Sequence, residues 1–123
     1  MKTLQKSGED YLEAIYNLSK DNKNVRSVDI ANELKVTKAS TSVALQSLAE
    51  KGYIEKENYG TAALTLKGLN CAEAVLKKHK AIRMLLIDIL KVSPEAAEVD
   101  ACKIEHCISS ETTTKLFDFL NIK

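Results

Sequence analysis

The chain has 123 residues and a formal charge of +1, from 18 Lys and Arg against 17 Asp and Glu, which excludes a polycation that coats nucleic acid by charge alone. Hydrophobic residues at 45% and charged residues at 28% describe an ordinary globular chain, and one proline with four glycines favours a mainly α fold over many-turned β architectures. Three cysteines, an odd number without the spacing of a disulfide scaffold, point to a reduced, cytoplasmic compartment; neither a secretory h-region nor a membrane-length apolar run occurs, so no membrane partner is expected.

The segment EDYLEAIYNLS predicts a helix over 8–19 with Ser7 as N-cap and an apolar stripe of Tyr11, Leu12, Ile15 and Leu18. Asp10 and Glu13 fall together on its opposite side. A polar turn at 21–24 leads to a short helix over 28–34, capped by Ser27, with Ile30, Ala31 and Leu34 inward. A tight connection at 35–37 opens a second helix over 38–51, with Val43, Ala44 and Leu48 as its expected inner face and Gly52 as its left-handed stop. The period then changes. YIEKE (53–57) and TAALTL (61–66) read as short strands joined by Asn58, Tyr59 and Gly60. Helix, turn, helix and hairpin in this order is a winged helix-turn-helix. A long helix follows over 67–91, with Leu69, Ala72, Leu76, His79, Arg83, Leu86 and Leu90 inward. Ser93 and Pro94 start another, running to about 108, and Ser110 begins a last one over 111–120.

Between Leu34 and Ala49 the only charges are Lys35 and Lys38, while Thr37, Ser40, Thr41, Ser42, Gln46 and Ser47 supply small hydrogen-bonding groups. A recognition helix needs little bulk, no acids to repel phosphate, and donors near its N-terminus. Against this, residues 1–66 carry nine basic and nine acidic groups, so a polar surface helix fits the same texture.

A second constellation is CKIEH at 102–106. With Ala97, Ala101, Ile104 and Ile108 as core stripe, Glu98, Cys102, Glu105 and His106 share one adjacent sector. Thiolate, carboxylate and imidazole at i, i+3 and i+4 are able to converge on one divalent cation. Cys107 points elsewhere and is expected to pack. Read alone, the motif fits equally a buried cysteine beside a solvated Glu–His pair. The other histidine, His79, sits on the inward stripe of the long helix, where an imidazole needs a partner. Together with Asp10 and Glu13, these residues make one or two sites for a first-row transition metal.

These residues resemble the metalloregulators comprising the diphtheria toxin repressor and the manganese transport regulator. The likeness runs from EDYLEAIYNL through the wing and VLKKHKAIRMLL to CKIEHCIS, and the spaced set Asp10, Glu13, His79, Cys102, Glu105 and His106 carries it. It implies a homodimeric repressor that binds double-stranded operator DNA when Fe²⁺ or Mn²⁺ is bound, with Co²⁺, Ni²⁺ or Zn²⁺ substituting in vitro. The manganese-responsive branch has the Asp and Glu matched by Asp10 and Glu13, but Glu at the position of Cys102. The iron-responsive branch has Cys there, but Met at the position of Asp10, and uses accessory ligands where this chain has Arg83 and Glu98. The sequence is a hybrid of the two, of the short form without an SH3-like domain.

The expected architecture is a winged-helix DNA-binding domain over 1–66 and an all-helical metal-binding and dimerisation domain over 67–123. The DNA-facing residues are then Ser7, Ser27, Thr37, Lys38, Ala39, Ser40, Ser42, Val43 and, on the wing, Tyr59. Ligands from both halves would couple metal loading to DNA affinity, typically by about 5–150-fold. Ile104, Ile108, Leu116, Phe117, Phe119 and Leu120 add apolar surface for a homodimer. The alternative is a winged-helix regulator of a non-metal signal. A Cys/His hydrolase, with Cys102 as nucleophile and His106 as base, is set aside because no glycine-rich oxyanion element accompanies them. A metalloenzyme stays open, to be separated by turnover without DNA binding.

Overall fold

The computed structural model describes residues 6–20, 24–57 and 60–122. The chain divides into two compact units, Met1–Glu73 and Ala74–Lys123. The first holds α1 (Lys6–Leu18), β1 (Val25–Arg26), α2 (Ser27–Leu34), α3 (Lys38–Glu50), β2 (Ile54–Glu57) and β3 (Thr61–Leu64). Helix α4 (Leu66–Met84) begins in the first unit and ends in the second, which also contains a π-helical turn (Leu85–Ile89), α5 (Pro94–Ile104) and α6 (Ser110–Leu120).

The first unit is a winged helix. Tyr11, Leu12 and Ile15 of α1 pack with Ile30, Leu45, Leu48 and Ile54 in one core. Strand order is β1-β3-β2, antiparallel throughout, with Ile54 opposite Leu64, Glu57 opposite Thr61, and Val25 opposite Ala62. The expected hairpin is present, with Gly60 at φ 72°; Asn58 and Tyr59 lie outside the described residues. So does most of the expected turn at 21–24. The strand β1 was not expected, since two residues are too short to show a period.

Local chemistry sets the helix ends. Ser7 lies inside α1, not at its cap. Arg26, in extended backbone, holds the N-cap position of α2 without a side-chain cap bond, so Ser27 is the first helical residue. The Arg26 guanidinium instead reaches forward to Asp29, at 3.1 and 3.2 Å. Lys35 turns the chain at φ 57°, and Thr37 caps α3 by accepting from the Ser40 amide at 3.0 Å. Gly52, at φ 85°, follows α3 as expected.

The inner face of α3 differs from the expectation. Thr41, Leu45 and Leu48 are buried, Ala44 is half-buried, and Val43 is 72% exposed. At about 100° per residue Val43 stands some 160° from both Thr41 and Leu45, so a helix that buries those two must present Val43 to solvent. Thr41 is admitted to the core because its hydroxyl donates to the Thr37 carbonyl at 3.0 Å.

Helix α4 keeps Ala72 and His79 inward as expected but buries Val75 and Ile82 in place of Leu76 and Arg83. Ala72, Val75 and Ile82 are buried, while Arg83 and Leu90 are exposed. Two apolar stripes lie side by side here, and the frame through Ile82 spares an unpaired guanidinium from burial. The α-helix stops at Met84, and a π turn carries the chain on to Leu90. Ser93 caps α5 with Pro94 first inside, as expected. That helix ends at Ile104 rather than 108, because Ser109 must be extended (φ −75°, ψ 166°) to cap α6 by accepting from Thr112 N. Cys107 is exposed, not packed.

Gly68 sits where α4 meets the strand bases. A Cβ there would collide with the Tyr53 carbonyl, a backbone group that cannot swing aside. Gly68→Ala should cost about 1–3 kcal/mol of unfolding free energy in urea titration, whereas Gly52→Ala, with open space around it, should cost only the strain of its positive φ.

Candidate metal centre and nucleic-acid interface

In the second unit both histidines of the chain meet one carboxylate. Glu105, the residue capping the end of α5, is wholly buried. Its Oε1 lies 3.3 Å from Nδ1 of His79 on α4 and 3.7 Å from Nε2 of His106. The His79 side chain is 14% exposed and that of His106 2%. The other ring nitrogen of His79 contacts Glu98 Oε2 at 2.9 Å, and Glu98 Oε1 lies 3.2 Å from Arg83 Nε. Arg83, Glu98, His79, Glu105 and His106 thus form a continuous polar chain linking α4, α5 and the turn after it. A buried carboxylate is costly unless hydrogen-bonded, and the two imidazoles lie where they lower that cost.

The alternative reading of a solvated Glu–His pair does not hold, since both side chains are buried. Cys102, one helical turn before Glu105, is half-buried. Its position follows from α5, but that of His106 does not: it lies in the turn beyond Ile104, so its approach to Glu105 comes from the chain bending rather than from helical spacing. Asp10 and Glu13 are half-buried on α1, in the first unit. Glu98 and Arg83 are the partners left out of the expected site. The signal for Arg83 was its i+4 spacing from His79, and for Glu98 its sector shared with Cys102.

On the first unit, Lys38, Ala39, Ser40, Ser42 and Val43 are all exposed along α3, and Thr37 beside them. Ser7 is exposed and Ser27 half-buried, while Tyr59 lies outside the described residues. Thr37 donates its hydroxyl to Ser40 Oγ at 3.0 Å. Gln46 is held at both ends of its amide: Nε2 donates to Glu50 Oε2 at 3.2 Å, and Oε1 accepts from Lys56 Nζ on β2 at 3.4 Å. The helix thus presents its basic and hydroxyl groups in its first two turns and its only acid, Glu50, at the far end.

A winged helix followed by a helical unit holding a buried His/Glu cluster defines a DNA-binding protein with a polar regulatory core. Residues 3–62 match the domain described as iron dependent repressor, N-terminal DNA binding domain, and residues 65–122 match iron dependent repressor, metal binding and dimerisation domain. The chain belongs to the iron-dependent repressor family. It is 33% identical over 118 residues to an HTH-type transcriptional regulator of Methanocaldococcus jannaschii, covering 95% of this chain and 94% of that one. It is 28% identical to the iron-dependent repressor IdeR of Mycobacterium leprae, over 98% of this chain and 53% of the repressor. The structure of the manganese regulator SloR is similar with a TM-score of 0.81 and 28% identity, over 99% of this chain and 56% of that one. The chain spans about half the length of these last two.

The family implies a bound metal, and the donors fit one by their chemistry. The imidazole nitrogens of His79 and His106 and the carboxylate oxygen of Glu105 are donor types that Fe²⁺ and Mn²⁺ accept. Among the described residues no group of three or more His, Cys, Asp and Glu is arranged around a common ion position. The buried Glu105 Oε2 and His106 Nε2 atoms take part in no hydrogen bond, while each residue is held through other contacts.

The polar chain predicts an uneven cost of truncation. His79→Ala withdraws a hydrogen-bonding group from the buried Glu105 carboxylate and should lower unfolding free energy by about 2 kcal/mol. Arg83→Ala breaks only an exposed pair and should cost less than about 1 kcal/mol. Chemical denaturation of the two variants beside wild type makes the comparison.

Proposed function

We propose that this protein is a metal-dependent transcriptional repressor of the cytoplasm. It binds double-stranded operator DNA as a homodimer when Fe²⁺ or Mn²⁺ is bound, and so controls genes of metal-ion homeostasis. The observation that carries this reading is the convergence of His79 and His106 on the buried Glu105, inside the stretch that matches a metal-binding and dimerisation domain. The names of the iron-dependent repressor from M. leprae and the manganese regulator SloR support the same two metals.

The proposed ligands are His79, Cys102, Glu105 and His106 of the second unit with Asp10 and Glu13 of α1. Bound there, the ion would supply a positive charge that carboxylate, thiolate and imidazole hold in common. The residues' own part is to be deprotonated at the ligating atom and to keep water from Glu105 and His106 through burial. Glu98 and Arg83 pair with each other at 3.2 Å, and Arg83 cannot ligate, so neither is assigned as a ligand.

For DNA, Lys38 meets a phosphate at the start of α3, while Thr37, Ala39, Ser40, Ser42 and Val43 face the groove, and Ser7, Ser27 and Tyr59 are the further DNA contacts of this reading. A dimer would set two such helices about 34 Å apart, or a multiple of that, on a palindromic operator. Exposed Leu90, Val99 and Phe119 in the second unit support the dimer. No described helix is long and apolar enough to cross a membrane.

Selection of operators from random DNA with Mn²⁺, Fe²⁺, Zn²⁺ or a chelator tests the whole reading: enrichment should require metal. Lys38→Ala should weaken binding to all duplexes alike and lower the magnitude of the salt slope by about one. Cys102→Glu replaces a soft donor by a hard one and should shift activation toward Mn²⁺ relative to Fe²⁺ in anaerobic titrations of DNA binding. An unchanged order of metals would show that Cys102 does not set selectivity.

A further inference from the structure

We infer that Val43 selects the operator by packing against the C5-methyl group of a thymine in the major groove. This rests on the DNA-binding reading above and names what the recognition helix reads.

Three observations carry it. With Thr41, Leu45 and Leu48 buried, the outward ridge of α3 passes through Val43, which is 72% exposed. It is the only large hydrophobic side chain exposed on that helix among the described residues. One exposed valine is unremarkable by itself, but three polar side chains of the same stretch are already engaged. Thr37 and Ser40 bond each other, and the Gln46 amide is tied to Glu50 and Lys56. Gln46 meets any base with one donor hydrogen and one acceptor lone pair already engaged. Ser42, Gln46, Ser47 and Glu50 surround Val43 on this outward face of α3. Its isopropyl group has no hydrogen bond to give. The apolar feature that a base edge presents in the major groove is the thymine methyl, so the mid-helix contact discriminates by methyl burial rather than by hydrogen bonding.

The test changes one methyl group on each side of the contact. Duplexes are selected from a random library by the full chain with Mn²⁺, and each thymine of the enriched half-site is replaced singly by deoxyuridine. At one position per half-site, loss of the methyl should weaken wild-type binding about fourfold, the effect of exposing a single methyl-sized group. Val43→Ser, at an exposed site where serine and valine have similar helix propensity, should bind the thymine and deoxyuridine duplexes equally. Wild-type affinity unchanged at every deoxyuridine position would overturn the inference, as would the same loss in Val43→Ser. Selection that enriches no duplex with Mn²⁺ or Fe²⁺ would overturn the DNA-binding reading itself and this contact with it.

Discussion

Burying a carboxylate is costly unless hydrogen bonds replace the lost water, and the second unit is organised around one carboxylate buried in that way. Glu105 lies at the end of α5, where the helix has run out and its side chain turns inward. The two histidines of the chain are both spent on it. His79 must therefore stay inward on α4, and the turn after Ile104 must bend so that His106 comes back. The polar chain through Glu98 to Arg83 ends at the surface, where water screens the last charges. The metal ligands proposed above include Glu105, His79 and His106, so on that reading one set of residues serves both the fold and the function.

Much of this was legible in the residues, and the reasons are uneven. Caps and stops were read well where a residue type has one dominant local use: Ser93 before Pro94, and Gly52 after α3. The helix-turn-helix and wing showed because the period changes from helical to alternating at Gly52. Burial phase was harder. Val43, Ala44, Leu45 and Leu48 are all apolar, so periodicity allowed two inner faces, and only the admission of Thr41 to the core decides between them. The same ambiguity arose on α4, where Val75 and Leu76 lie side by side. The π turn at Leu85–Ile89 has no pattern distinct from an α-helical one, and β1 is too short to have any.

At the site, the donor residues were visible as a set, yet their roles in the protein's own packing were not. Read from their motif alone, Glu105 and His106 fitted a solvated pair because polar residues usually face water. Their burial depends on α4 bringing His79 across, a long-range fact that spacing within one helix cannot contain. On the DNA side, the hydroxyl-rich texture of α3 was plain, but the tethering of Gln46 by Lys56 joins α3 to β2, and that pairing belongs to the tertiary fold.

The small sheet has a bearing on how the protein behaves in concentrated solution. Its two open edges are β1, two residues long, and β2, whose Glu55, Lys56 and Glu57 are exposed. With a formal charge of only +1, the chain has almost no overall repulsion to keep copies apart. Protection against strand-to-strand aggregation must then be local: one edge is too short to template a partner, and the other carries charges that an incoming strand would have to accommodate.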